Sequence, residues 1–363
     1  MISNLTLLIP SSVDFKNYGI LMLGRLLGGV ATSLLFSVFE AWLIRSHTDL
    51  ELPKSCLSKS FSLAAFSNSL VAIFAGLIAN KLASDSTMTN LGGEMYVGGY
   101  LNPFDLALLA LIVCGIGARS LWEENYGESL SAEDSEKSAD ENGKGRGKWY
   151  GGLQDAFVTT IRNRDILSCG IISSLFEGSM YIFVFCWTPL LKAYDPDADL
   201  PFGLIFSTFM VSCMTGSSLF SILVEKYPVE QLGVFIFALG AFSMALVGSG
   251  ISEVVSFLGM NFFEVTVGMY FPIMGTMKGS IVPENKRAAI YNLYRIPLNF
   301  IVLFSLLSHL SAKFSFNLNA FMLAVATALQ VLLTRRRLDS TGTLSAPSPD
   351  RQPLVDRESD HVV

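Results

Sequence analysis

Nine runs of roughly twenty mainly apolar residues divide this chain, and a run of that length matches the hydrocarbon thickness of a bilayer. They fall near 18–44, 60–82, 101–122, 166–191, 201–224, 231–250, 252–277, 287–309 and 316–334. Lipid offers no partner to an open backbone, so spans of this kind fold as helices. The expected class is therefore an all-α integral membrane protein. Composition fits that class: 51% of residues are hydrophobic and 15% charged, against about 25% charged in an average soluble domain. A nucleic-acid binder is excluded because it needs a basic stripe, whereas 25 Lys and Arg face 31 Asp and Glu here. An enzyme is disfavoured too, with no H-E-x-x-H or G-x-S-x-G in the chain. The cysteines (Cys56, Cys114, Cys169, Cys186 and Cys213) form no C-x-x-C, and His47, His309 and His361 share no ligand spacing. No metal or cofactor is implied.

Orientation follows from the cations between spans, which are retained on the cytoplasmic side. Alternate segments carry 19 and 4 Lys and Arg, which places the 123–165 loop and the C-terminus in the cytoplasm and the N-terminus outside. Met1 to Pro10 lacks a basic start and a small-residue cleavage site, so it is not read as a signal peptide. The triplet at Asn4 is a weak glycosylation signal. The stretch SLSAEDSEKSADENGKGRGK at 129–148 has too little apolar surface to order itself. It is a linker, and three spans precede it while six follow. The expected divisions are 1–122, a partly disordered cytoplasmic linker at 123–165, a six-helix unit at 166–335 and a disordered tail at 336–363. Arg335, Arg336 and Arg337 read first as a stop-transfer anchor touching anionic headgroups.

Five ionisable residues sit inside spans, where a central charge costs about 2.5–3.5 kcal/mol on insertion scales and marks a functional candidate. On the first span, Arg25 and Glu40 lie 15 residues apart but differ by only about 60° around a helix. Gly24 and Gly28 beside them form a small-xxx-small pair that allows close helix packing. Glu177 is near the middle of the fourth span, with Ser173, Ser174 and Tyr181 on its face; Glu264 is equally deep in the seventh, with Asn261, Gly268 and Gly275. On the eighth, Tyr291, Asn292, Arg295 and Asn299 form a polar stripe. Pro189, Pro272 and Pro297 are expected to break three helices beside these charges, an arrangement that fits a secondary transporter. Structural alternatives stay open: Arg25 and Arg295 can snorkel to an interface, and the two deep acids can serve as structural pairs. Phe183, Phe185 and Trp187 read as packing or lipid-facing residues.

The sequence resembles the molybdate-anion transporter family of the major facilitator superfamily. The resemblance rests on LGRLLGGVATSLLFSVFEAW at 23–42, SLFEGSMYIFVFCWTP at 174–189, IFSTFM at 205–210, GMYFP at 268–272, VPE at 282–284 and NLYRIPLN at 292–299. It implies twelve spans in two six-helix halves joined by a long cytoplasmic loop. On that scheme the first span here is similar to the family's fourth, Arg25 with Gly28 and Gly29 takes the place of the superfamily's Arg-and-glycine motif, and 1–122 is a remnant half lacking three helices.

The resemblance also implies uptake of the molybdate oxyanion by alternating access, most simply at the cell membrane. Within that reading Arg25 and Arg295 are the expected anion ligands, since guanidinium offers paired donors. Asn292 and Asn299 add neutral hydrogen bonds. Glu177 and Glu264 are expected to carry coupling protons, and Glu40, near the cytoplasmic end, to gate. Molybdate, protons and the lipid bilayer are the expected partners. Two alternatives stay open: a carrier of another small solute, and a truncated, non-transporting regulatory form.

Overall fold

The computed structural model describes residues 15–84, 87–92, 95–122, 148–197, 200–308 and 310–344. The Asn4 triplet, most of the expected linker and the end of the expected tail lie outside them. Helix α1 is Phe15–Asp49, α2 Lys54–Ser84 and α3 Asn102–Leu121; after the linker come α4 Lys148–Arg162, α5 Arg164–Tyr194, α6 Phe202–Leu223, α7 Val229–Ser249, α8 Glu253–Ile281, α9 Arg287–Leu307 and α10 Ala312–Leu344. Among the described residues eight helices are long and apolar enough to cross a membrane, namely α2, α3 and α5 to α10. Helix α1 stands outside those eight and covers the expected first span with 35 residues.

Helix ends follow local chemistry. Asn163 starts α5 by accepting hydrogen bonds from the amides of Asp165 and Ile166, at 2.9 and 3.2 Å, which satisfies donors that have no intrahelical partner. Ser252 caps α8 in the same way through the Val255 amide at 3.2 Å. Gly250, at φ 64°, closes α7 in the left-handed conformation that a glycine adopts without penalty.

The core lies in the half that follows the linker. Phe176, Phe209, Phe237, Phe263, Tyr270 and Phe316 are buried together between α5, α6, α7, α8 and α10. Helices α6 and α8 cross backbone to backbone. A Cβ on Gly268 would stand 1.8 Å from the Cys213 carbonyl oxygen, and one on Gly216 would stand 2.0 Å from that of Val265. Reciprocal glycines of this kind let two spans approach more closely than any side chain permits. Helix α2 packs along α6 and α8, α1 leans on α9, and α3 meets α2 with no buried residue of its own.

Two expectations are corrected. Pro189, Pro272 and Pro297 lie inside continuous helices and break none of them; a span tolerates one missing amide when neighbours satisfy the freed group. Of the expected close-packing pair Gly24 and Gly28, Gly24 is buried but Gly28 is not closely packed, for a Cβ there meets nothing within 4 Å among the described residues. The segment between α2 and α3 is a short antiparallel hairpin, Thr89–Gly92 against Met95–Val97. At 148–162 the expected linker is the helix α4, docked on α5 and α9.

Candidate functional site

A cavity of about 570 Å³ lies between α1 and α2 on one side and α5, α8 and α9 on the other. Helical spacing delivers its wall. On α8, Tyr270, Met274 and Lys278 advance four residues at a time and share one face. On α9, Tyr291 and Arg295 do the same, with Tyr294 beside them; on α5 the pair is Ser173 and Glu177. Helix α1 contributes Phe39 and Glu40, and α2 contributes Phe61 and Asn68.

Two polar clusters face this space. In the first, Ser173 Oγ and Tyr270 Oη each donate to Glu177 Oε1 at 2.9 Å, and the two hydroxyls are 3.0 Å apart. Hydrogen bonds to a carboxylate are stronger than neutral ones, so Glu177 is held at a fixed point in the wall. In the second, Lys278 Nζ donates to Glu40 Oε2 at 2.9 Å, with side-chain exposures of only 11% and 18%. The same ammonium lies 4.8 Å from the centre of the Tyr291 ring, within cation–π range. The pair therefore ties α1 to α8 across the cavity. One turn further along α1, Arg45 pairs with Asp49 at 2.9 Å and with Glu284, which precedes α9. The hydrogen bond to Glu284 raises the Arg45 pKa above its ordinary value.

Satisfaction is incomplete. Glu40 Oε1 and the Tyr291 hydroxyl are buried at the cavity wall without a hydrogen-bond partner among the described residues. Buried polar atoms in this condition are costly to leave unmade. Nearby, the Tyr294 ring packs against Gly170, where a Cβ would stand 2.3 Å from it, and its hydroxyl donates to the Ile166 carbonyl at 2.8 Å. That contact fixes the turn of α9 carrying Arg295.

Of the expected site residues, the fold brings Glu40, Glu177 and Arg295 to one cavity. Arg25, Asn292 and Asn299 are exposed and are not part of its lining. Glu264 is buried, 7% exposed, on the α8 face whose Gly268 meets α6 and whose Gly275 meets Phe61 of α2. It too lies off the cavity lining. Lys278, Tyr270 and Asn68 escaped the sequence reading. The four-residue spacing of Tyr270, Met274 and Lys278 was the available signal.

A major facilitator family model described as sugar transporters with 12 transmembrane segments matches residues 6–260. The chain is 32% identical to a molybdate-anion transporter of Xenopus laevis over 351 residues, covering 92% of this chain and 71% of the relative. The chain belongs to the molybdate-anion transporter family. A second family member, from Xenopus tropicalis, is 32% identical over 328 residues, covering 88% of this chain and 66% of the relative. For the Danio rerio member the identity is 30% and the shares are 81% and 61%. The chain thus spans about two thirds of the length of the family members it matches. Family membership makes it a multi-pass integral membrane protein related to transporters rather than to enzymes.

Solved structures agree on architecture. The proton:xylose symporter XylE, bound to 6-bromo-6-deoxy-D-glucose, superposes with a TM-score of 0.60 at 14% identity, covering 86% of this chain and 70% of that one. The E. coli fucose:proton symporter FucP gives a TM-score of 0.60 at 12% identity, covering 92% and 80%. Both show the major facilitator fold.

Proposed function

We propose that this chain carries out uptake of a small oxyanion, molybdate by its relation to the named family members, through alternating access around the α1–α2–α5–α8–α9 cavity. The observation that carries the reading is that Lys278 and Arg295 both line that cavity's wall. Cations lining a cavity between packed spans are costly unless they serve a ligand or a counter-ion. Arg295 supplies forked donors and Lys278 a point charge.

Formally, the wall holds two cations and two carboxylates, so a dianion meets no net attraction while Glu40 and Glu177 are ionised. A proton on each carboxylate leaves two positive charges and matches a tetrahedral dianion. Coupling protons on Glu177 and Glu40 follow from that balance. Glu264 remains a candidate proton carrier away from the cavity, while Arg25, Asn292 and Asn299 are assigned no ligand role. The Glu40–Lys278 and Arg45–Glu284 pairs act as the gate at one end. We place that end in the cytoplasm, with the linker and C-terminus, and the protein in the cell membrane. On this reading the units are 1–122 and 166–335, joined by the linker.

A second reading is a neutral polyhydroxyl solute. It is favoured by the unpartnered Glu40 Oε1 and Tyr291 hydroxyl, which suit a ligand that both donates and accepts. Molybdate accumulation in molybdate-starved cells expressing this chain tests the first reading. Uptake that sulfate inhibits and sugars do not supports the oxyanion. Molybdate accumulation equal to that of empty cells removes the oxyanion reading, and accumulation of a labelled sugar by the same cells moves the assignment to the neutral solute.

A further inference from the structure

A second recess, of about 580 Å³, opens where α4, α5 and α10 meet, lined by Thr159, Arg162, Asn163, Arg164, Asp165 and Arg336. It shares no residue with the cavity lining and plays no part in the transport reading. Three guanidinium groups surround it with one carboxylate, an excess of two positive charges. Arg336 is already engaged, donating to Ser168 Oγ at 2.8 Å and standing 3.5 Å from Asp165 Oδ1. Arg162 and Arg164 are exposed and make no hydrogen bond or ion pair among the described residues. Three converging guanidiniums with two uncommitted forks fit a doubly charged phosphate monoester.

Depth decides which phosphate. Arg162 ends α4, Arg164 opens α5, and Arg336 follows the last apolar run of α10, so the recess sits just beyond the hydrocarbon core. Helix α4 supplies an independent observation. Its Ala156 and Thr160 are buried against the bundle and its Asp155 pairs with Lys286 at 2.6 Å. Leu153, Phe157 and Ile161, four residues apart, are nevertheless 43%, 52% and 53% exposed. An outward apolar ridge on a helix at the membrane boundary lies in the acyl–headgroup interface. We infer that Arg162, Arg164 and Arg336 form a binding site for the phosphate monoester headgroup of an anionic lipid, with α4 seated in the interface beside it.

Native mass spectrometry tests this on the full chain released from nanodiscs of phosphatidylcholine containing a minor fraction of phosphatidic acid. The wild type is expected to retain phosphatidic acid over phosphatidylcholine. The double variant Arg162→Gln/Arg164→Gln should lose roughly tenfold or more of that preference, since each basic residue near an anionic surface contributes severalfold. Both residues are exposed, and an unchanged melting temperature checks that the variant is folded. A second arm needs no variant: inorganic phosphate added to the wild type in detergent should compete with the retained lipid. Equal retention of the two lipids by the wild type overturns the proposal, as does a preference that the double variant keeps. Binding of inorganic phosphate without lipid preference overturns the lipid assignment.

Discussion

Lys278 Nζ lies 2.9 Å from Glu40 Oε2, and this single ion pair joins α1 to α8 across the cavity, 238 residues apart in sequence. With both side chains mostly buried, losing either partner strands the other charge, at a cost of about 3–5 kcal/mol. Losing both leaves no stranded charge. Glu40→Gln and Lys278→Gln should each lower the melting temperature in detergent, and the double variant should melt above both. Three variants melting like the wild type would show that the pair does not hold α1.

The α6–α8 crossing makes a sharper steric prediction. Adding a side chain at Gly268 drives it into the Cys213 carbonyl at 1.8 Å, and rigid backbone cannot yield as a flexible side chain does. Gly268→Val is expected to destabilise by about 3 kcal/mol or more and to reduce the folded yield. Gly28→Ala, which meets open space, should change neither. Size-exclusion profiles of the two variants decide it.

Much of this architecture was written in hydrophobic pattern. Apolar runs located the spans because each is set by bilayer thickness, and deep charge located Glu40, Glu177 and Arg295 because charge is costly there. Lys278 follows the last apolar window of its span and so falls among the 19 cations of the segments expected in the cytoplasm, yet the fold buries it, 9% exposed. Arg25 and Glu40 do share a helical face. However, 15 residues are about 22 Å along a helix axis, and a sphere of the cavity's 570 Å³ is about 10 Å across. Azimuth is legible from sequence; depth relative to a cavity that other helices create is not. Tyr270 was hidden for the same reason, since only the meeting of α5 with α8 makes it a partner of Glu177.

Glu177 carries the clearest proton prediction. Its carboxylate accepts two hydroxyl donors at the cavity wall, and glutamine keeps an acceptor there while removing the titrating proton. Uptake by Glu177→Gln should vary less steeply with external pH than that of the wild type, since only Glu40 is left to titrate in the cavity wall. A pH profile unchanged from the wild type would exclude this residue as the proton carrier.

The central claim, that Lys278 and Arg295 together bind the anion, is tested most directly by initial molybdate uptake rates in cells expressing the wild type, Arg25→Gln, Arg295→Gln or Lys278→Gln at matched membrane abundance. Losing one charged ligand should slow uptake by roughly tenfold to a hundredfold in the Arg295 and Lys278 variants, while Arg25→Gln stays near the wild type. Rates for the Arg295 and Lys278 variants equal to the wild type, or a loss confined to Arg25→Gln, would contradict it.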